Sequence, residues 1–333
     1  METNLRPLSL GEILDRTAQL YRTNFVLFAG IAAVYAGVML VLSLLQIGVG
    51  ELLRAHHMTH QLQLLPLGFV VLVFPLAIIF GGAAMAANNR AVAWVNMGQP
   101  ATIRGAYLSI LPRMGRYLWL MTIATFVVYL PFALIYGSYF AFIFFYVRPK
   151  GLLAHSGAGA DPQAAIVFVI ATGALVLLSV PALVYAIVMA LRYSLSVPAS
   201  VVEDLKARKA LRRSVDLTKG SRGRIFVLGL LIAVIQIGLV LVTQVFFIVM
   251  AVKQHGQLPA WVQVAQQVVG FFTNSFIGPM YATGLTLFYY DQRVRKEGYD
   301  IEWMMQAAGL TAPAPAAEPE PAPAPQAPGS AHE

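Results

Sequence analysis

Long apolar runs alternate with short polar ones along this chain, and they predict six membrane-crossing helices. These lie at about 25–48, 64–87, 117–147, 164–191, 225–252 and 269–290. Each is long enough to cover a hydrocarbon core of ~30 Å at about 1.5 Å per residue. The polar stretches before the odd-numbered runs carry a second period. Leu10, Ile13, Leu14, Thr17, Leu20 and Tyr21 fall on one helix face. So do Ile103, Ala106, Tyr107, Ile110 and Leu111, and again Ala207, Ala210, Leu211, Ser214, Val215 and Thr218. That spacing marks amphipathic helices, and basic ones beside apolar runs read as helices lying on a membrane surface. Ser9-Leu10-Gly11-Glu12 has the form of a capping box and starts the first of them. The expected fold class is therefore all-α, a polytopic bundle of six transmembrane helices. Residues 1–24 form an N-terminal amphipathic helix, 25–310 the membrane domain with surface helices near 102–111 and 206–219, and 311–333 a disordered Pro/Ala/Glu-rich tail.

The layout repeats. An interior proline recurs in each even-numbered run (Pro75, Pro181 and Pro279), each 11 to 15 residues before a basic exit at Arg90, Arg192 or Arg293. Gly115-Arg116 aligns with Gly223-Arg224 at an offset of 108. Three copies of one unit are expected: surface helix, span, loop and Pro-broken span. Gly82-x-x-x-Ala86 in the second run would let another helix approach closely.

Composition narrows the class. Charged residues make up 11% of the 333, against about 25% in soluble domains, and 58% are hydrophobic. Cysteine is absent, which excludes disulfides, thiolate metal sites and cysteine nucleophiles. Segments 1–24, 88–116, 192–224 and 291–296 hold 3, 4, 9 and 3 Lys or Arg, while the opposite loops hold Arg54, Arg148, Lys150 and Lys253. By the positive-inside rule both termini are cytoplasmic, in an inner (plasma) membrane protein.

Candidate chemistry is sparse. No expected span contains Asp, Glu, Lys, Arg or His, no phosphate-cradling loop or nucleophile motif is present, and neither a catalytic residue nor a cofactor is expected. His56 and His60 would sit at i, i+4 if their loop were helical, the one pair that could share a metal. Asn274, in Thr273-Asn274-Ser275, and the prolines Pro75, Pro181 and Pro279 are candidates for a transport pathway. The basic helices are candidates for anionic lipid headgroups, through Arg104, Arg113, Arg116, Arg212, Arg213, Arg222 and Arg224. Their partners would be membrane lipids, or a membrane protein or second copy, with nucleic acid excluded because the basic residues are dispersed beside spans.

Three passages carry a resemblance. Arg6-Pro7-Leu8-Ser9-Leu10-Gly11-Glu12-Ile13-Leu14-Asp15-Arg16, Ala210-Leu211-Arg212-Arg213-Ser214 with Leu217-Thr218-Lys219-Gly220, and Tyr289-Tyr290-Asp291-Gln292-Arg293-Val294-Arg295-Lys296-Glu297-Gly298-Tyr299-Asp300 resemble the bacterial six-span membrane domain of glycerophosphoryl diester phosphodiesterase. The resemblance covers about residues 6–305 and implies a membrane setting with a connection to lipid headgroups. Hydrolysis in fused members belongs to a separate barrel of about 250 residues, for which this chain has no polar region. The expectation is a non-enzymatic module that interacts with anionic lipids or a membrane partner; the alternative is an exporter using the Pro-broken spans.

Overall fold

The computed structural model describes residues 6–148, 150, 162–253, 259–301 and 305. The expected tail at 311–333 lies outside them, as do most of loop 148–163 and residues 254–258. Ten α-helices follow one another, with no strand among the described residues. They are α1 (Leu10–Thr23), α2 (Phe25–Ala55), α3 (Thr59–Asn96), α4 (Ile103–Ile110), α5 (Met114–Phe142), α6 (Pro162–Tyr193), α7 (Ser196–Val202), α8 (Ala207–Thr218), α9 (Arg222–Lys253) and α10 (Ala260–Glu297). Five stretches, within α2, α3, α4–α5, α6–α7 and α9, are long and apolar enough to cross a membrane. The chain is a multi-pass integral membrane protein.

α10 is as long as α3 but more polar, and its position explains why. It packs against α2, α1, α9 and α3, and its second half is the most fully buried part of any long helix. Gln244 of α9 accepts from Gln266 at 3.0 Å, and Arg224 meets Asp291 at the other end, so α9 and α10 run antiparallel over most of their lengths. Phe25 of α2 stacks near Phe276, with ring centres 5.2 Å apart, and Gly37 faces Phe271, so α2 is antiparallel to α10 as well. From Ser275 to Val294 the helix is largely buried, and there it carries Thr283 and Thr286, which donate to the Pro279 and Ala282 carbonyls of their own helix, and Ser275, whose Oγ has no partner.

Packing is uneven along the bundle. Buried residues concentrate at the basic ends of the helices: Phe28, Ile31 and Ala32 in α2, residues 82–84 and 86–89 in α3, Tyr117 and Leu120 in α5, Ile225 and Leu228 in α9. Only 6% of the most apolar stretch within 103–147, and 6% of that within 162–202, is buried, against 28% in α2. The α5–α6 hairpin is held together by its own contacts, among them Tyr139 with Thr172 at 2.7 Å, and leaves Phe126, Tyr129, Phe140, Val176 and Leu177 facing outward. Large exposed apolar side chains are what lipid contact requires.

The small-residue stripe of α3 meets α5, where the Met121 and Leu118 side chains approach to 3.4 and 3.6 Å of the position a Gly82 Cβ would take. The prolines correct an expectation. α3, α6 and α10 continue through Pro75, Pro181 and Pro279, and α3 holds Pro66 and α5 holds Pro131 besides. A proline frees only the carbonyl four residues earlier, here those of Val71, Leu177 and Ser275, and the turns on either side keep the helix intact. The even-numbered spans are therefore not broken.

Candidate functional site

The three amphipathic helices meet the bundle at its basic end. α1 starts as its sequence indicates: Ser9 caps the Glu12 amide at 3.2 Å, and the Glu12 carboxylate accepts from the Ser9 amide at 2.6 Å. These bonds hold the Glu12 carboxyl below its usual range. The apolar faces are covered by protein. α1 buries Ile13, Thr17 and Tyr21, mainly against α10, with the Tyr21 hydroxyl donating to the Phe276 carbonyl at 2.5 Å. α4 buries Ala106 and Ile110, and Tyr107 donates to the Ile31 carbonyl of α2 at 2.8 Å. α8 buries Ala207, Ala210, Ser214, Leu217 and Thr218 against α7, α5, α6 and α10. The faces read as membrane-lying stripes are docking faces within the chain. The charged side of α8, with Arg208, Lys209, Arg212 and Lys219, is exposed.

Under the bundle lies α7, which the apolar runs do not announce. Ser196, Val197, Pro198, Ala199, Ser200 and Val201 are all buried, and α7 packs against α8, α3, α10 and α5. Its Pro198 sits in the first turn, where a missing amide costs no helical bond. Glu203 and Asp204 follow it, and with Asp291 and Glu297 they organise the basic cap into three acidic nodes.

Asp204 is in the left-handed conformation (φ 56°), which Asp tolerates better than most residues. Its carboxylate takes Arg116 at 2.6 Å and Arg113, and its carbonyl accepts from Arg116 at 2.8 Å, tying the start of α5 to the α7–α8 turn. The hydrogen bond from Arg116 holds the Asp204 carboxyl below its ordinary 3.8. A carboxyl depressed on folding contributes stability above its unfolded pKa and loses it as pH falls through the folded one. Acidification below about pH 4 should therefore release the turn. Amide hydrogen exchange at residues 203–206, corrected for the intrinsic pH dependence, checks this in wild type and Asp204→Asn: the variant should exchange freely at every pH, and equal protection of the two at pH 7 would refute it.

The second node joins Glu203, Arg213, Arg293 and Glu297. Arg213 Nε donates to both Glu203 oxygens at 2.9 and 3.0 Å, and its Nη2 to Glu297 at 2.7 Å. Tyr289 donates to Glu203 at 2.6 Å, and Arg293 reaches Glu297 at 3.1 Å. The Glu297 hydrogen bond, with Glu203 behind it, raises the Arg213 pKa, while the two arginines lower that of Glu297 against a partial burial that opposes them.

The third node is Asp291, whose side chain is fully buried. It takes Arg224 at 3.3 Å, Arg295 at 3.0 Å and the Leu8 amide at 2.8 Å. The same two arginines donate to the Leu8 carbonyl at 2.8 and 2.6 Å, so the segment before α1 is clasped onto α10. Ser221 donates to Gln292 at 2.8 Å, and Lys296 donates to the Asp216 and Lys219 carbonyls at the end of α8, both at 2.8 Å. Left-handed Gly220 (φ 84°) turns the chain from α8 into α9, and left-handed Gly298 (φ 66°) ends α10. The three passages at 6–16, 210–220 and 289–300, separate in sequence, thus form one polar assembly.

The seven arginine candidates fall into two groups. Arg113, Arg116, Arg213 and Arg224 are engaged by carboxylates of the chain itself. Among the described residues Arg104, Arg212 and Arg222 form no ion pair; Arg104 and Arg212 are exposed, whereas Arg222 is half-buried with an Nε that has no partner. Arg192 shares that state at the end of α6, which packs beside α9. Sequence reading of the span ends marks Arg192 only as an exit, because topology counts charges without asking what neutralises them.

The remaining candidates lie elsewhere. α2 ends at Ala55, His57 is left-handed (φ 56°) and α3 starts at Thr59, so His56 lies in the turn after α2 and His60 in the first turn of α3. The i, i+4 spacing a shared metal required is not formed; the His60 side chain is outside the described ones, among which no metal-holding cluster occurs. Asn274 lies far from the cap, on a cleft of about 200 Å³ between α2 and α10. The intact α3, α6 and α10 provide no unwound backbone of the kind that coordinates ions in transporters. No family model, curated protein or solved structure matches the chain.

Proposed function

We propose that the chain is a six-span, non-enzymatic module that binds anionic lipid at its basic end, with Arg192 and Arg222 as the headgroup contacts. The observation that carries this is that Arg192 and Arg222, at the basic ends of the packed helices α6 and α9, are half-buried with an unpartnered Nε, a state that Arg90 of α3 shares. A cation withdrawn from water without a counter-charge is costly, and a lipid phosphate at the end of a span supplies one. Exposed Arg104 and Arg212 add to the attraction. The sixth crossing is α10, supported by its antiparallel course along α9 and α2. Six crossings put both termini on one side, and the excess of Lys and Arg there makes it the cytoplasm. The meeting of the three resembling passages in one assembly favours membership of the phosphodiesterase membrane-domain family without its hydrolytic barrel.

Each basic residue near an anionic surface contributes about 1 kcal/mol. The double variant Arg192→Gln/Arg222→Gln should therefore retain phosphatidylglycerol about 30-fold less well in native mass spectrometry. Arg213 and Arg224 hold the fold and are left intact. Undiminished retention by a variant that melts at the wild-type temperature would overturn the proposal.

A further inference from the structure

The cleft between α2 and α10 is lined by Tyr35, Met39, Ser43, Gln267, Phe271 and Asn274, with Gly270 in its floor. It lies away from the basic cap: Ser43 is 18 residues past the first residue of α2, about 27 Å along the helix. Asn274 Nδ2 donates to the Gly270 carbonyl at 2.8 Å, which leaves its Oδ1 as an open acceptor. Gln267 and Ser43 make no side-chain hydrogen bond among the described residues. Four side chains able to hydrogen-bond, Tyr35, Ser43, Gln267 and Asn274, thus line one concavity at a depth where water is scarce and polar groups need partners. No lining residue is charged. An ionic headgroup would find no counter-charge here, whereas hydroxyls would find both donors and acceptors.

We propose that this cleft binds the uncharged, hydroxyl-bearing end of a neutral lipid, about the size of a glycerol unit, entering sideways from the hydrocarbon. The volume fits: a water occupies about 30 Å³, so the space of about 200 Å³ equals roughly seven waters. Met39, Leu40 and Phe271 line the same cleft and would take the first methylenes of an acyl chain. The site is independent of the arginines at the basic end.

The test uses the full chain in phosphatidylcholine vesicles with a trace of diacylglycerol carrying a photoactivatable diazirine on one acyl chain. Labelling should map to the peptides containing Met39, Leu40 and Phe271. Unlabelled diacylglycerol should displace it, and triacylglycerol, which has no free hydroxyl, should not. Gln267→Leu/Asn274→Leu removes the two amides at nearly constant bulk, leaving the Ser43 and Tyr35 hydroxyls. Gly270→Leu fills the space instead, since a Cβ there meets nothing within 4 Å. Each should lower labelling roughly tenfold, while Arg192→Gln/Arg222→Gln leaves it unchanged. Labelling spread evenly over the lipid-facing helices, equal competition by triacylglycerol, or labelling indifferent to both cleft variants would each overturn the proposal.

Discussion

Asp291→Asn is expected to destabilise the protein by about 3 kcal/mol, the scale for removing one member of a buried ion pair. The substitution keeps the shape of the side chain and deletes only its charge. Arg224 and Arg295, which converge on Asp291 and on the Leu8 carbonyl, would then face each other across a neutral amide. Thermal unfolding in detergent measures the loss. Proteolysis near Leu8 locates it, because the segment before α1 loses its clasp while the α5–α6 hairpin is untouched. A variant as stable and as resistant as wild type would show that the Leu8 contacts hold without the carboxylate.

Arg213→Met should cost about 2–3 kcal/mol at neutral pH. Methionine preserves the apolar stem of the side chain and removes the fork that joins Glu203 to Glu297. Arg293 remains as the only described cation within ion-pair distance of those two carboxylates. The sign of the pH dependence follows. In the wild type Glu297 titrates below its ordinary 4.5, so its contribution is present above that value and is lost as pH falls through the lower one. In the variant the under-neutralised carboxylates are relieved by protonation, so the difference between the two proteins should narrow as pH drops from 7 towards 4. A difference constant over that range would mean that Arg213 acts by packing alone.

Helix faces were legible in the sequence; what covers them was not. The 3.6-residue period over 207–218 marks Ala207, Ala210 and Ser214 as one face, and α8 buries that face. Periodicity records which positions avoid water, and lipid and protein satisfy that requirement equally. The start of α1 could be read because a capping box is local, closed between Ser9 and Glu12. The acidic nodes could not, since Asp204 finds Arg116 across 88 residues and Leu8 finds Asp291 across 283. Carboxylates also weigh little in setting topology, so counting Lys and Arg passes over the four acids that organise the cap. α7 is too short for a moment to develop, and it lies between two stretches whose patterns are far stronger.

The central position of α10 has a consequence for biogenesis. Among the described helices α10 comes last in the chain, and its neighbours α1 and α2 come first. Phe25 and Phe276, Tyr21 and the Phe276 carbonyl, and Leu8 and Asp291 all close contacts across more than 250 residues. Until α10 docks, α2 and α9 leave uncovered the surfaces that later pack against it. The contacts of α1 and α2 with α10 then close late, and a chain stopped before residue 260 would keep the α2–α3 and α5–α6 pairings but lose the partner that joins α1, α2 and α9.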